Sequence, residues 1–180
     1  MKKESAFMNI LRLTVTLLVI CAAMAAVLAV VNTITRDPIA AIAVEKTQKA
    51  IEQVLPGAGE LENVPLTGDA GIVKTVYKAE NGYAVEVAPV GFDGEITMMV
   101  GIADGEVTGI SVVTHTETPG LGAVAAAANA KGEAFRGQFV GQSGVLSVGD
   151  QIDGMTGATI TSKAVTDGVN AALAYVEKLG

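Results

Sequence analysis

Residues 72–114 read IVKTVYKAENGYAVEVAPVGFDGEITMMVGIADGEVTGISVVT, and this stretch decides the fold. Four runs rich in β-branched residues lie in it, at 72–79, 83–90, 95–103 and 106–114. Between the runs stand three pairs that favour tight turns: Asn81-Gly82, Asp93-Gly94 and Asp104-Gly105. An Asn-Gly or Asp-Gly pair between two β-prone runs is a strong hairpin signal. The stretch therefore predicts four consecutive strands that form an antiparallel meander.

The segments on either side of the meander predict helices. Upstream, Asp37-Pro38 combines an N-cap carboxylate with a proline suited to the first helical position, and Pro56-Gly57 ends the predicted helix. Its apolar stripe consists of Ala41, Val44, Ala50, Ile51 and Leu55. Downstream, a second stripe at helical spacing predicts the last helix of the chain: Val165, Val169, Leu173 and Val176.

Less regular segments connect these elements. We expect a loop at 57–71, a helix at 123–130 and a short strand at 144–148, whereas 133–139 has no clear preference. Strands that follow one another and helices that are set apart from them indicate the α+β class. The predicted fold is one N-terminal transmembrane helix followed by an antiparallel-sheet domain with flanking helices.

The charges divide the chain into two unlike parts. Residues 1–36 carry a net charge of +3 and residues 37–180 carry −10, which gives the −7 of the whole chain. Such an acidic body has nothing with which to neutralise a polyanion, so nucleic-acid binding is excluded. A single cysteine, Cys21, excludes an internal disulfide, and a single histidine, His115, excludes a multi-histidine metal site.

An apolar segment near the N-terminus predicts a membrane span. No charge interrupts the 23 residues between Arg12 and Arg36, and as a helix they reach about 34 Å, enough for a hydrocarbon core of about 30 Å. A cleaved signal peptide is the alternative, although its apolar region is usually shorter. Basic residues before the span, Lys2, Lys3 and Arg12, place the N-terminus in the cytoplasm. We therefore expect a cytoplasmic N-terminus at 1–12, a transmembrane helix at 13–35 and an extracytoplasmic domain at 36–180.

Several familiar patterns occur without their required context. Residues 120–125 match the dinucleotide fingerprint G-x-G-x-x-A, but an antiparallel strand precedes them and Gln142 stands where an acidic residue is needed. Gly132 and Gly137 have the spacing of a phosphate-binding P-loop, but Gln138 occupies the lysine position. We therefore predict neither of these sites, nor a metal site, nor a catalytic residue.

Two segments differ from ordinary loops. Residues 115–122, HTETPGLG, turn on a proline and two glycines and offer backbone N–H groups to a polar ring or an anion. Residues 153–159, DGMTGAT, are followed by Thr161, Ser162 and the last helix. Hydroxyl groups at the start of a helix, where N–H groups are unpaired, favour a bound phosphate. The alternative is that Thr161 or Ser162 merely caps the helix.

Together these two segments resemble those of the FMN-binding domain family. Residues 153–159 are similar to its acceptor motif D-x-x-[S/T]-G-A-T, and residues 115–122 are similar to its second flavin-contacting segment. With a span in front, the chain most resembles the G subunits of Rnf-type ion-translocating ferredoxin:NAD⁺ oxidoreductases. The C subunits of sodium-pumping NADH:quinone oxidoreductases are related to these. Residues 123–130 depart from the family's more basic helix, so no contacts are inferred from them.

The resemblance implies a set of flavin-binding residues. Thr159 is the expected site of covalent FMN attachment through a phosphoester, made by a flavin transferase. The phosphate and ribityl end is expected at Thr156, Gly157 and Ala158. Residues that approach the flavin are expected to be Glu117, Thr118, Gly120, Leu121 and Gly122. For Glu117, the alternative is that its carboxylate only braces the turn.

The function that the resemblance implies is electron transfer inside a membrane complex. The chain is expected to relay electrons between sister subunits on the ferredoxin/NAD side and so to help drive Na⁺ or H⁺ transport, with no turnover of its own. Other membrane and redox subunits are the expected partners. The alternative function is a stand-alone extracytoplasmic flavoprotein, an electron shuttle or reductase component.

Overall fold

The computed structural model describes residues 2–179. The side chains of residues 2–6, Asp37 and Ala40 fall outside this description, and with them the roles expected of Lys2, Lys3 and Asp37. By its internal contacts the chain divides into two units, residues 1–45 and 46–180.

The first helix, α1, is continuous from Lys2 to Val54. Within it, the segment Phe7–Val54 contains a window of mean hydropathy 2.7 and is, among the described residues, long and apolar enough to cross a membrane. The helix start expected at Asp37-Pro38 is wrong, because Pro38 lies inside α1. Pro38 lacks only one helical N–H, and the alanines that follow it at 40, 41 and 43 have the highest helix propensity, so the helix continues. The expected end is confirmed, since α1 stops at Val54, just before Pro56-Gly57.

The second unit is built on a five-stranded antiparallel sheet whose order follows the sequence. Its strands are β1 (Glu62–Val64), β2 (Val73–Ala79), β3 (Gly82–Val87), β4 (Thr97–Ala103) and β5 (Glu106–Thr114). The four predicted strands are confirmed as a meander. The loop expected at 57–71 is wrong at β1, a three-residue edge strand that pairs Glu62 with Lys78. Such a short, mostly polar strand has no alternating apolar pattern by which it could be recognised.

Three helical elements follow β5. A 3₁₀ helix spans Gly122–Ala126, α2 spans Ala130–Gly137 and α3 spans Thr159–Glu177. The single helix expected at 123–130 is wrong, because Ala127 is extended and Asn129 starts α2 by accepting a hydrogen bond from the backbone N–H of Gly132. The strand expected at 144–148 is also wrong, since Val148 makes only an isolated bridge with Ile152.

Helices cover both faces of the sheet. The predicted stripe of α3 packs with alternate strand residues such as Val85, Met98 and Val100 in one apolar cluster. On the opposite face, Ile51 and Val54 from the end of α1 pack with Met99. The buried part of the α1 stripe thus begins at Ala50, and Ala41 and Val44 are exposed.

Glycines allow the end of α1 to approach the sheet. Gly101 and Gly109 lie opposite each other on β4 and β5. A Cβ at Gly101 would overlap the carbonyl oxygen of Val54, and one at Gly109 would lie 3.3 Å from the Val54 Cα. The hydroxyl of Thr108 donates to that same Val54 carbonyl. The end of α1 thus packs closely against β4 and β5, and the sheet in turn positions the end of β5 and the start of α3.

Candidate functional site

The two segments singled out in the sequence meet at the N-terminus of α3. The hydroxyl of Thr161, in the first turn of α3, donates to Oε2 of Glu117, 44 positions earlier in the chain. The Leu121 side chain also lies close to Gly157: a Cβ placed on Gly157 would be 3.2 Å from Cδ2 of Leu121. The fold therefore brings residues 115–122 and 153–159 together, although a 3₁₀ helix and α2 separate them in sequence.

The N-terminus of α3 is left without a side-chain cap. Its N-cap residue is Ala158, which makes no side-chain hydrogen bond to the helix. The two hydroxyls expected to cap it are used elsewhere, because Thr161 donates to Glu117 and Ser162 donates to the Ala158 carbonyl at 2.9 Å. The capping alternative is therefore wrong. The N–H groups of a first helical turn have no intrahelical acceptor, and with the helix dipole they favour an anion.

The acceptor motif turns outward at this helix end. Gly157 has φ +76°, a left-handed conformation that favours glycine, and it allows the chain to enter α3. Thr156 and Thr159 are both exposed, whereas Ala158 is buried between them. Thr159 is the first residue of α3. Thr159 is thus an exposed residue in a helical turn whose N–H groups have no intrahelical acceptor, which suits the attachment or binding of a phosphate.

The second segment is anchored by a buried carboxylate. The side chain of Glu117 is 4% exposed. Its Oε1 accepts the backbone N–H groups of Phe92 at 2.8 Å and Asp93 at 3.0 Å, while Oε2 accepts the Thr161 hydroxyl. A Cβ on Gly91 or on Gly122 would overlap this carboxylate. Glu117 therefore joins the β3–β4 loop, the 115–122 turn and α3, which supports the bracing alternative; a flavin contact by Glu117 stays a prediction.

Other expected residues of this segment lie at the surface. Thr118, Gly120 and Leu121 are exposed, and Gly122 is buried as the first residue of the 3₁₀ helix. Gly120 has φ +78°, so the Pro119-Gly120 turn requires its glycine. The exposed members thus surround a turn whose interior is filled by Glu117.

Phe92 lies beside the two segments, and the sequence analysis did not single it out. Its ring is 67% exposed on the β3–β4 loop, and its backbone N–H is held by Glu117. Two further large apolar side chains are exposed on the segments that Glu117 joins, Leu121 at 46% and Ile160 at 54%. An aromatic residue between turn residues, in a chain that is only 4% aromatic, was the signal that could have identified Phe92.

His115 stands at the start of the 115–122 segment and faces its interior. It lines a small void together with Glu117 and Thr161, and its Nδ1 is buried without a hydrogen-bond partner among the described residues. Among the described residues no group of three or more His, Cys, Asp or Glu side chains could hold a metal ion. A separate cavity of about 800 Å³ lies between the β2–β3 and β4–β5 turns and the C-terminal half of α3, and it includes no residue of either segment.

Comparisons with known proteins identify a flavin-binding domain in this chain. The FMN-binding domain family matches residues 91–174, which include both segments. The G subunit of an ion-translocating oxidoreductase complex from Methanosarcina acetivorans is 35% identical over 93% of this chain and 95% of its own. The G subunit of the Na⁺-translocating ferredoxin:NAD⁺ oxidoreductase complex from Acetobacterium woodii is 34% identical over 94% of this chain and 93% of its own.

A third relative is matched over a shorter region. The G subunit of the proton-translocating ferredoxin:NAD⁺ oxidoreductase complex from Clostridium ljungdahlii is 42% identical over 57% of this chain and 60% of its own. The first two similarities extend over nearly the whole length of both chains. The chain therefore belongs to the family of FMN-binding G subunits of ion-translocating oxidoreductase complexes.

Proposed function

We propose that this chain is the membrane-anchored, FMN-carrying G subunit of an ion-translocating ferredoxin:NAD⁺ oxidoreductase complex. In this role it relays electrons between sister subunits and so contributes to Na⁺ or H⁺ transport. The observation that carries the proposal is the exposed Thr159 at the start of α3, whose N-cap residue makes no side-chain hydrogen bond. Full-length similarity to the named subunits supports the assignment to a complex.

The residues at the site fit the two ends of FMN. The phosphate suits the first turn of α3, where N–H groups are unpaired and Thr156 and Thr159 add hydroxyls. The ring is planar and largely apolar, and the exposed side chains of Phe92 and Leu121 offer it apolar surface. When bound, FMN supplies the electron-accepting and electron-donating chemistry. The chain itself holds the phosphate, orients the ring and limits its access to water.

We further propose that the FMN is covalent, through a phosphoester between its phosphate and the Thr159 hydroxyl, made by a flavin transferase. Thr159 is the exposed residue at the last position of the acceptor motif, and its side chain leaves the helix at the place where the dipole favours a phosphate. Thr161 and Ser162 are buried and already hydrogen-bonded. Exposure and helix position therefore favour Thr159 over its hydroxyl-bearing neighbours within α3.

We also propose that residues 36–180 lie outside the cytoplasm, with residues 13–35 as the span and residues 1–12 inside. The support is the positive charge that precedes the apolar segment, including Arg12. An alkaline phosphatase fused after Gly180 is active only outside the cytoplasm. We expect an active fusion, and an inactive phosphatase together with an active cytoplasmic reporter at the same position would contradict this orientation.

Purification from membranes tests the function. The full chain, tagged at its C-terminus and extracted with mild detergent, is expected to be yellow and to bring other redox subunits with it. The purified chain alone is expected to show no turnover with reduced ferredoxin or NADH. A yellow chain that purifies alone and turns over by itself would instead show the stand-alone shuttle, and a colourless chain would contradict flavin binding.

A further inference from the structure

The C-terminal turn of α2 contacts the 3₁₀ helix that follows the 115–122 turn, and it also contacts the first residue of the acceptor motif. Arg136 makes the first contact. Its Nη1 donates to the carbonyl oxygens of Ala125 at 2.7 Å and Ala127 at 3.1 Å. These carbonyls end the 3₁₀ helix that begins at Gly122. A cation that satisfies the last carbonyls of a helix holds that helix end in place.

Gln138, two positions further on, makes the second contact. Its Oε1 accepts the backbone N–H of Asp153 at 2.7 Å, and its Nε2 donates to the Asp153 carbonyl at 3.3 Å. Asp153 is the first residue of the acceptor motif. One amide therefore fixes both backbone groups of a single residue, as a neighbouring strand would do.

The approach of α2 to the 3₁₀ helix depends on Gly132. A Cβ at this position would overlap the Ala127 carbonyl oxygen and lie 2.6 Å from that of Val124. The P-loop-like spacing of Gly132, Gly137 and Gln138 therefore does not reflect phosphate binding. Gly132 allows α2 to pack closely against the 3₁₀ helix, and Gln138 hydrogen-bonds the backbone of Asp153. The Phe135 and Phe139 rings, 5.5 Å apart between centroids, anchor this turn of α2 in the core.

We propose that Arg136 and Gln138 are positioning residues that set the spacing between the two flavin-contacting segments. Arg136 holds the 3₁₀ helix that continues the 115–122 turn, and Gln138 holds the start of 153–159. Both side chains project from the C-terminal end of α2. The distance between the segments is therefore held by α2 as well as by the Glu117–Thr161 bond. This inference rests on the proposed FMN site.

The test compares variants of the full chain in detergent. Arg136→Met removes the bonds to the 3₁₀ helix, and Gln138→Ala removes those to Asp153. We expect both to raise amide hydrogen exchange at 118–122 and 154–158 in flavin-free protein. In flavin-loaded protein we expect increased quenching of flavin fluorescence by iodide and a shifted midpoint potential, with flavin attachment retained. Gln138→Glu keeps an acceptor for the Asp153 N–H, so its effects should be smaller.

Matched controls separate positioning from general destabilisation. Asn170 makes the same two-bond clamp, to the N–H of Leu146 at 2.8 Å and to its carbonyl at 2.9 Å, so Asn170→Ala loses as many bonds outside both segments. Lys131→Met removes a charge from α2. The inference is overturned if Arg136→Met and Gln138→Ala fold but match these controls in exchange, quenching and potential. A wild-type chain without flavin would contradict the proposed function instead, while the exchange data would still test the spacing.

Discussion

The two segments proposed to contact the flavin differ in how they are held. Residues 115–122 turn inward around Glu117, whose carboxylate is buried and fully engaged by protein groups. Residues 153–159 turn outward and present Thr156 and Thr159 to solvent at a helix end without a cap. The first segment is thus held by protein groups, and we propose that the second carries the flavin. Removal of the Glu117 carboxylate should therefore cost stability, whereas removal of the Thr159 hydroxyl should cost flavin attachment and change stability little.

The largest effect is expected for Glu117→Ala. It removes the acceptor of the Phe92 and Asp93 N–H groups and of the Thr161 hydroxyl. With hydrogen bonds to charged groups worth about 1.5–3 kcal/mol and buried donors left unpaired, we expect a loss of about 3 kcal/mol or more. Thermal and denaturant unfolding of the detergent-solubilised chain measure it. Glu117→Gln keeps one acceptor oxygen and should recover part of the loss; equal effects of Ala and Gln would show that the bonds do not anchor the segment.

A smaller effect is expected for Gly122→Ala. The added methyl group would overlap the Glu117 carboxylate, and relief requires the turn or the carboxylate to move. Overpacking of this kind costs about 1–3 kcal/mol. Gly137→Ala is a suitable control, because a Cβ there meets nothing within 4 Å. If the two glycine variants unfold at the same temperature, the carboxylate is not as tightly enclosed as the structure indicates.

The sequence was sufficient for the four-stranded meander because its turns are local. Asn81-Gly82 and Asp104-Gly105 fix two hairpins from adjacent residues, and the strands between them are largely apolar runs. The three-residue β1 lacks that pattern, and the continuation of α1 through Pro38 depends on the propensity of the residues that follow. Local signals therefore predicted the meander but not its polar edge or the first helix boundary.

The site was predictable in part for the same reason. The acceptor motif and its helix start lie within one stretch, so the position of Thr159 at the start of α3 could be read from neighbouring residues. The partners of Glu117 are 24, 25 and 44 positions away in sequence, and nothing local to Glu117 distinguishes a buried brace from a ligand contact. Phe92 and Gln138 enter the site through the same kind of long-range contact.

Phe92→Ala tests an exposed residue beside the buried Glu117 carboxylate. Because the ring is 67% exposed, its loss should change the free energy of unfolding by less than about 0.5 kcal/mol. If the ring covers the flavin, iodide should quench the flavin fluorescence of the variant more strongly. Val145→Ala, at an 87% exposed apolar residue outside both segments, is the control. Unchanged quenching in Phe92→Ala would remove Phe92 from the site.

The smallest effect on stability is expected for Thr159→Ala. Its hydroxyl is exposed, so in flavin-free protein the free energy of unfolding should stay within about 0.5 kcal/mol of wild type. Thr156→Ala, the other exposed threonine of the motif, should behave alike. If Thr159→Ala lost as much free energy of unfolding as Glu117→Ala, the stability of the fold would depend on residues 153–159 as much as on residues 115–122.

The attachment site of the flavin tests the central claim most directly. The chain, made together with a flavin transferase, is digested with trypsin, and the fragment 137–163 is sequenced by mass spectrometry. We expect the added mass of FMN on Thr159, and we expect Thr159→Ala but not Thr156→Ala to lose it. Flavin on Thr156, Thr161 or Ser162, or a flavin-free fragment from the wild-type chain, would contradict the account.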